Sequence, residues 1–262
     1  MPETLESNIE ELLSSPGGKI LHEASMLMRK RARFLAIIFV VVIMLGYPLA
    51  GEFISWLVSV DTGFTPSSNT EIIVLHPVEL ILLKVRISVY LGIIVTSTIF
   101  AVEMARLMAK SEVIKERMNE AEIKLPNPNL LAVTTALTSV GLIFLGSYYS
   151  IEYLVPFLLD YLAADAAAAE LSTQWTLTNF IGFISSLIFA SAIGFQVPLI
   201  VFLLLKFEII NRSELTKYRR HLWFVAIILA AFLSPPDPVS LFLVAAPMII
   251  LFELSLLLHR LI

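Results

Sequence analysis

The sequence predicts an all-α protein whose helices cross a membrane about six times. The 262 residues are 58% hydrophobic and only 15% charged, with a mean hydropathy of +0.86, whereas soluble domains carry roughly a quarter charged residues. Polar, basic or proline-rich segments divide the chain into apolar stretches. A protein this apolar has too little polar surface to cover a core in water, so the bilayer must solvate much of it.

The apolar stretches differ in length. The first four are each long enough for the roughly 20 residues that a ~30 Å hydrocarbon core requires, and the longer ones are expected to tilt, kink or protrude. The fifth corresponds to about 18 Å of helix, so it predicts either a re-entrant hairpin or a short helix in a locally thinned bilayer. In chain order the predicted spans are 34–58, 78–107, 130–162, 175–207, 222–233 and 239–258.

The distribution of basic residues predicts the orientation. Of the 18 lysines and arginines, all but Lys84 and Arg86 fall in the N-terminal segment, in the segments 106–124 and 206–220, or at the C-terminus. The positive-inside rule therefore places both termini and these two loops in the cytoplasm. We expect one domain over residues 1–262, with a cytoplasmic segment 1–33, six spans within 34–258 and a cytoplasmic tail 259–262.

Charged residues near the ends of the second predicted span have several possible roles. Lys84 and Arg86 either snorkel outward along their stems or line a polar cavity, because charges at membrane depth are costly and often functional. Glu79 suits the first helical turn, where the helix dipole stabilises a carboxylate. Glu103 is predicted to snorkel or to pair with Arg106, three residues later, or with Lys110, four residues beyond that.

Polar groups also lie in the fourth and sixth predicted spans and in the turn before the sixth. Pro198 frees a backbone carbonyl and predicts a kink, and Gln196 beside it either bonds that carbonyl or another helix, or faces a cavity or partner. Glu253 is expected to face protein or water rather than lipid. In the turn Pro235-Pro236-Asp237, the aspartate either starts the last helix through Asx-type hydrogen bonds or clamps the turn to another loop.

No catalytic pattern is visible in the sequence. Cysteine is absent and the four histidines show no ligand spacing, so thiolate metal sites and cysteine nucleophiles are excluded. The chain contains no phosphate-binding loop, no zinc-protease motif and no serine triad pattern. We therefore expect no enzymatic activity, no cofactor, no metal and no nucleic-acid partner.

The C-terminal third resembles the TatC family, the multispanning subunit of the twin-arginine protein translocase. Upstream the similarity to the family is weaker. It is found in the basic motif before the first span, at the start of the second span and around Gln196, where the family commonly has glutamate. The motifs that carry the resemblance are Leu215-Thr216-Lys217-Tyr218-Arg219-Arg220, Ser234-Pro235-Pro236-Asp237-Pro238 and Ala246-Pro247-Met248-Ile249-Ile250-Leu251-Phe252-Glu253.

The resemblance implies a concave TatC-like bundle in the plasma membrane, with short fifth and sixth helices. It also implies a receptor for signal peptides with paired arginines, which exports folded proteins using the proton-motive force. TatA- and TatB-type single-span proteins are the implied partners, in homo- and hetero-oligomers. The implied signal-peptide site lies on the N-terminal segment and the first cytoplasmic loop, where the nearest candidates are Glu23, Arg29, Glu116, Glu120 and Glu122.

Two other interpretations remain open at this point. A secondary transporter or channel for a small solute would bring Lys84, Arg86, Gln196 and Glu253 together at one cavity. A structural membrane scaffold would pair these polar groups with one another.

Overall fold

The computed structural model describes residues 16–59, 72–74, 76–110, 127–169, 175–207, 209–234 and 237–261. This part of the chain is almost entirely helical. The helices are α1 (Pro16–Val58), α2 (Pro77–Met108), α3 (Pro128–Tyr149), α4 (Val155–Ala168), α5 (Leu177–Gly194), α6 (Val197–Lys206), α7 (Arg212–Lys217), α8 (Arg219–Leu233) and α9 (Pro238–Leu261). A π-helical turn, Ser150–Leu154, joins α3 to α4, and two strands, β1 (Ile72–Ile73) and β2 (Trp175–Thr176), complete the list.

Proline marks the start of several helices. Pro77, Pro128 and Pro238 each occupy the first position of their helix, where a backbone N–H has no intrahelical partner and its loss costs little. Asn127 caps α3, since its side-chain oxygen accepts from the backbone N–H two residues later at 3.0 Å. These local signals explain why the helix starts lie close to the predicted ones.

Within the described residues, four helical segments are long and apolar enough to cross a membrane: 31–58, 128–168, 177–206 and 238–258. The predicted all-α membrane architecture is thus confirmed, whereas the count of six spans is not. Helix α2 has 32 residues but is not among the four. Helix α8 has 15 residues, in agreement with the predicted short fifth span.

The last helix differs from the prediction. It was expected to be short, but α9 runs for 24 residues and includes Pro247 in its interior. The third predicted span is also longer than expected, because α3 continues through the π-helical turn into α4. Pro156 explains that turn: it cannot donate to the carbonyl four residues earlier, and the N–H of Val155 instead bonds the carbonyl of Ser150, five residues back.

Helix α5 lies at the centre of the bundle. Twelve of its 18 residues are buried, and it packs against α2, α3, α8 and α9. Helix α1 packs on α2, and α8 packs on α9. Many large apolar side chains on the outer faces are exposed, with Phe232 at 84% and Phe144 at 71%, which suits helices surrounded by lipid.

The two ends of the bundle have different chemistry. At one end, which we call the sheet end, β1 pairs in parallel with β2, so that α2 and α5 start side by side. The opposite end, which we call the basic end, carries Arg31 of α1, Arg106 near the end of α2 and the 206–220 segment, whose Phe207 packs against Ala105 and Leu131. Contacts there join Arg31 to Glu103 and Arg106 to Asn129. The described basic residues of three separate segments therefore lie at one end, as the positive-inside interpretation requires.

Candidate functional site

The kink in the fourth predicted span brings Gln196 against α3. Helix α5 ends at Gly194 and α6 begins at Val197, so that Gln196 lies in the break just before Pro198. The Nε2 group of Gln196 donates to the backbone carbonyl of Ser139 at 3.1 Å, and its Oε1 atom accepts from the Ser139 hydroxyl at 3.0 Å. The predicted kink is confirmed, and Gln196 bonds another helix rather than the carbonyl that Pro198 frees.

Ser139 was not identified from the sequence. Its side chain is fully buried, and its hydroxyl also lies 3.2 Å from the hydroxyl of Thr98 on α2. One signal could have revealed it: Leu131, Thr135, Ser139 and Gly146 are the buried residues of α3, and small or polar residues at such spacing mark a helix–helix interface. The contact therefore joins α2, α3 and the α5–α6 break at one place.

Glycines let these helices approach closely. A Cβ atom on Gly146 of α3 would lie 2.7 Å from the backbone oxygen of Ser191 on α5, and one on Gly194 would lie 2.8 Å from the Met248 side chain on α9. Both distances are too short for a real contact. The absence of side chains at these two positions is thus a condition for packing α5 between α3 and α9.

A hydrogen bond from α3 explains how α9 tolerates an internal proline. Pro247 cannot donate to the carbonyl of Leu243, four residues earlier. That carbonyl instead accepts from the hydroxyl of Tyr149 at 3.1 Å. Because the freed carbonyl has a partner, α9 continues past Pro247 instead of ending there.

Glu253 of α9 makes an ion pair with α8. Its Oε2 atom lies 2.9 Å from the Arg219 guanidinium, and its Oε1 atom accepts from the indole N–H of Trp223 at 2.9 Å. The guanidinium also lies over the Trp223 ring, 5.2 Å from its centroid. The expectation that Glu253 faces protein rather than lipid is therefore met, through two residues of α8 that the sequence had not indicated as its partners.

Asp237 starts the last helix. Its Oδ1 atom accepts from the backbone N–H of Ser240 at 2.7 Å, and the Ser240 hydroxyl contacts the carboxylate as well. This is the capping arrangement of an N-terminal aspartate and favours the Asx alternative over a clamp to another loop. Pro235 and Pro236, the other residues of the predicted outer turn, lie outside the described residues.

The predicted partners of Glu103 were wrong. Its carboxylate pairs with Arg31 of α1, with Nε and Oε2 3.8 Å apart, whereas Arg106 donates to the side chain of Asn129 on α3 at 3.4 Å. Helical spacing alone favoured Arg106, but α1 packs along α2 and presents a competing cation. These contacts join α1, α2 and α3 at the basic end.

Lys84 and Arg86 lie on opposite sides of α2, near the sheet end. Lys84 packs against α1, where its Nζ atom is 5.9 Å from the Tyr47 ring centroid. Arg86 faces α5 and donates from Nε to the hydroxyl of Tyr90 at 2.7 Å. Neither is in an ion pair with a described residue. Glu79, in the first turn of α2 as predicted, accepts from the Thr178 hydroxyl at 3.2 Å.

The predicted signal-peptide residues cannot be compared with the structure. Glu116, Glu120 and Glu122 lie outside the described residues. Glu23 and Arg29 fall within the backbone of α1, in a part whose side chains are likewise outside the description. Their role remains a prediction.

The polar groups do not converge on one cavity. Gln196 contacts α3, Glu253 contacts α8, and the two cations of α2 point to different helices. Within the described part of the chain, no group of histidine, aspartate or glutamate residues could hold a metal ion. Among the described residues, these groups therefore do not form the shared solute site that the transporter interpretation requires. Lys84 and Arg86 also make no ion pair with a described residue, which does not fit a scaffold whose polar groups all pair.

A family model described as Sec-independent protein translocase protein (TatC) matches residues 26–247. Among curated proteins, the chain is 25% identical over 233 residues to the translocase protein TatCy of Bacillus subtilis, covering 89% of this chain and 85% of that protein. It is 26% identical over 225 residues to TatC of Carboxydothermus hydrogenoformans, covering 86% and 87% respectively.

A solved structure has the same fold. The crystal structure of the twin-arginine translocase receptor TatC in the detergent DDM matches with a TM-score of 0.69 and 21% identity, over 90% of this chain and 98% of that one. The fold and the family model thus agree with the motifs at the proline-rich turn and at Glu253. This chain belongs to the TatC family of multi-pass membrane proteins.

Proposed function

We propose that this protein is the twin-arginine signal-peptide receptor and core subunit of a translocase that exports folded proteins across the plasma membrane. The observation that carries the proposal is the family match over residues 26–247, supported by relatives of nearly the same length whose names describe a Sec-independent protein translocase. The sequence carries no catalytic pattern, which agrees with a transport role rather than an enzymatic one.

The basic end faces the cytoplasm in this proposal, with both termini on that side. Arg31 and Arg106 make contacts at this end of the bundle, and Phe207 of the 206–220 segment packs there against the end of α2, which supports it through the positive-inside rule. Because the chain contains no cysteine, single-cysteine variants allow a clean test. Cysteines at Lys110 and Arg220 should react with an impermeant maleimide only from the cytoplasmic side, and one at Asp165 only from the outside.

Recognition of the signal peptide would take place at this cytoplasmic face. A pair of guanidinium groups is best held by carboxylates in a planar, bidentate geometry, which Glu23, Glu116, Glu120 and Glu122 can supply. The proton-motive force would drive export, with TatA- and TatB-type single-span proteins as partners in a hetero-oligomer. Co-purification of such a partner with the tagged chain tests the assembly.

Photocrosslinking tests the receptor function. Probes at Glu23 and Glu120 should label with a precursor peptide that carries paired arginines, and the labelling should fall when both arginines are changed to lysines. A probe at Asp165, exposed at the sheet end, provides the matched control and should not label with either peptide. Equal labelling by the arginine and lysine peptides at both glutamate positions would contradict the proposal.

A further inference from the structure

An apolar groove with a cation at its rim lies between α1, α2 and α5. The groove has a volume of about 320 Å³, and its walls include Leu49 and Ala50 of α1, Leu91 and Ile94 of α2, and Ile188 and Phe189 of α5. Tyr90 also lines it and stacks on Phe189, with ring centroids 4.3 Å apart. The hydroxyl of Tyr90 accepts from Arg86, which places the guanidinium next to the groove.

Arg86 lies at the sheet-end border of the apolar part of α2, from which its long side chain can reach a lipid phosphate. The uninterrupted apolar run of α2 covers residues 87–102, about 24 Å of helix, and Arg86 immediately precedes it at the sheet end. The groove residues of α2 follow within this run. A lipid whose phosphate met Arg86 would therefore direct an acyl chain along the groove toward the bilayer centre.

The Arg86 guanidinium has N–H donors that its bond to Tyr90 does not use. Arginine carries five N–H donors, of which Nε–H bonds Tyr90. Among the described residues, the ion pairs are those of Arg31 with Glu103 and of Arg219 with Glu253, so no described carboxylate neutralises Arg86. Gly182 makes room for the group, because a Cβ there would lie 3.0 Å from Nη1 of Arg86. An exposed cation at membrane depth is costly unless an anion accompanies it.

We propose that Arg86 and this groove form a binding site for one phospholipid of the leaflet at the sheet end, with the phosphate on the guanidinium and an acyl chain in the groove. An apolar helix is a poorer fit, since it would bring no anion to the guanidinium, which no described carboxylate neutralises. Leu49, on the groove wall, is 53% exposed, so the site opens toward lipid. The inference does not depend on the translocase function.

Native mass spectrometry of the full-length protein in detergent tests the site, with phosphatidylglycerol titrated against diacylglycerol, which lacks the phosphate. The unaltered protein should bind phosphatidylglycerol in preference to diacylglycerol. Arg86→Gln should weaken phosphatidylglycerol binding about tenfold, equivalent to about 1.4 kcal/mol, and abolish the preference. Lys84→Gln removes the same charge two residues away, on the α1 side of α2, and should bind as the unaltered protein does.

A second variant tests the groove independently of the cation. Leu49→Trp should obstruct the acyl chain and weaken binding of both lipids, and it keeps the test decisive if Arg86→Gln fails to fold. Inorganic phosphate should not displace the lipid. Unchanged phosphatidylglycerol affinity in Arg86→Gln or, should that variant not fold, in Leu49→Trp would overturn the proposal. So would displacement of the lipid by inorganic phosphate alone or by a twin-arginine precursor peptide.

Discussion

Loss of the Gln196 side chain should destabilise the protein measurably without preventing it from folding. Gln196→Leu keeps the volume but removes two hydrogen bonds to Ser139, one to its hydroxyl and one to its backbone carbonyl. Hydrogen bonds between membrane helices contribute about 0.6 kcal/mol on average and up to about 1.7 kcal/mol. Two such bonds at a fully buried serine therefore predict a loss of about 1 to 2 kcal/mol in the free energy of unfolding.

The measurement is SDS-induced unfolding in mixed micelles, followed by tryptophan fluorescence. A double-mutant cycle with Ser139→Ala isolates the hydroxyl bond, because that variant leaves the backbone carbonyl in place, and we expect a coupling energy of about 0.5 to 1 kcal/mol. Ser191→Ala is the matched control: its hydroxyl is buried without a hydrogen-bond partner among the described residues, so its loss should change the free energy of unfolding little. A coupling energy of zero between Gln196 and Ser139 would refute the reasoning.

Three further predictions use the same unfolding assay. Gly146→Ala should lower the free energy of unfolding by about 1 to 3 kcal/mol, since the new methyl group meets the α5 backbone. Gly141→Ala, with open space around it, should be neutral or stabilising. Equal effects of the two substitutions would contradict the close approach of α3 and α5. Tyr149→Phe should cost about 1 kcal/mol, because the freed carbonyl of Leu243 loses its donor; no loss would mean that water replaces the hydroxyl. Glu253→Gln keeps an acceptor for the indole but loses the charge facing the α8 arginine. Raising the salt concentration should therefore destabilise the original protein more than the variant. Identical salt dependence of the two proteins would count against the ion pair.

Much of the helical architecture follows from local rules. The starts of α2, α3 and α9 coincide with prolines whose missing N–H has no role at a helix start, and the break near Gln196 follows from Pro198. The lengths of α4 and α9 were harder to predict. Both depend on how a proline inside a helix is accommodated, and for α9 the accommodating group is a tyrosine nearly a hundred residues away in the chain.

The partners of the polar groups were the least predictable part. Glu103 has a cation at helical spacing, yet it pairs with Arg31 because packing of α1 on α2 brings that residue close. Glu253 has no suitable neighbour in sequence, and its partners come from the preceding antiparallel helix. Sequence reasoning could say that these carboxylates need partners, but the choice of partner depends on which helices are neighbours.

The pairing of β1 with β2 has a mechanical consequence. It holds the segment that precedes α2 against the one that precedes α5. The hydrogen bond from Thr178 to Glu79 is a second contact between the same two helices, near their first turns. These two helices cannot separate where they start unless both the strand pair and this hydrogen bond break. A movement of α2 relative to α5 that kept both contacts would pivot about the strand pair, so that displacement would grow with distance along the helices toward the basic end.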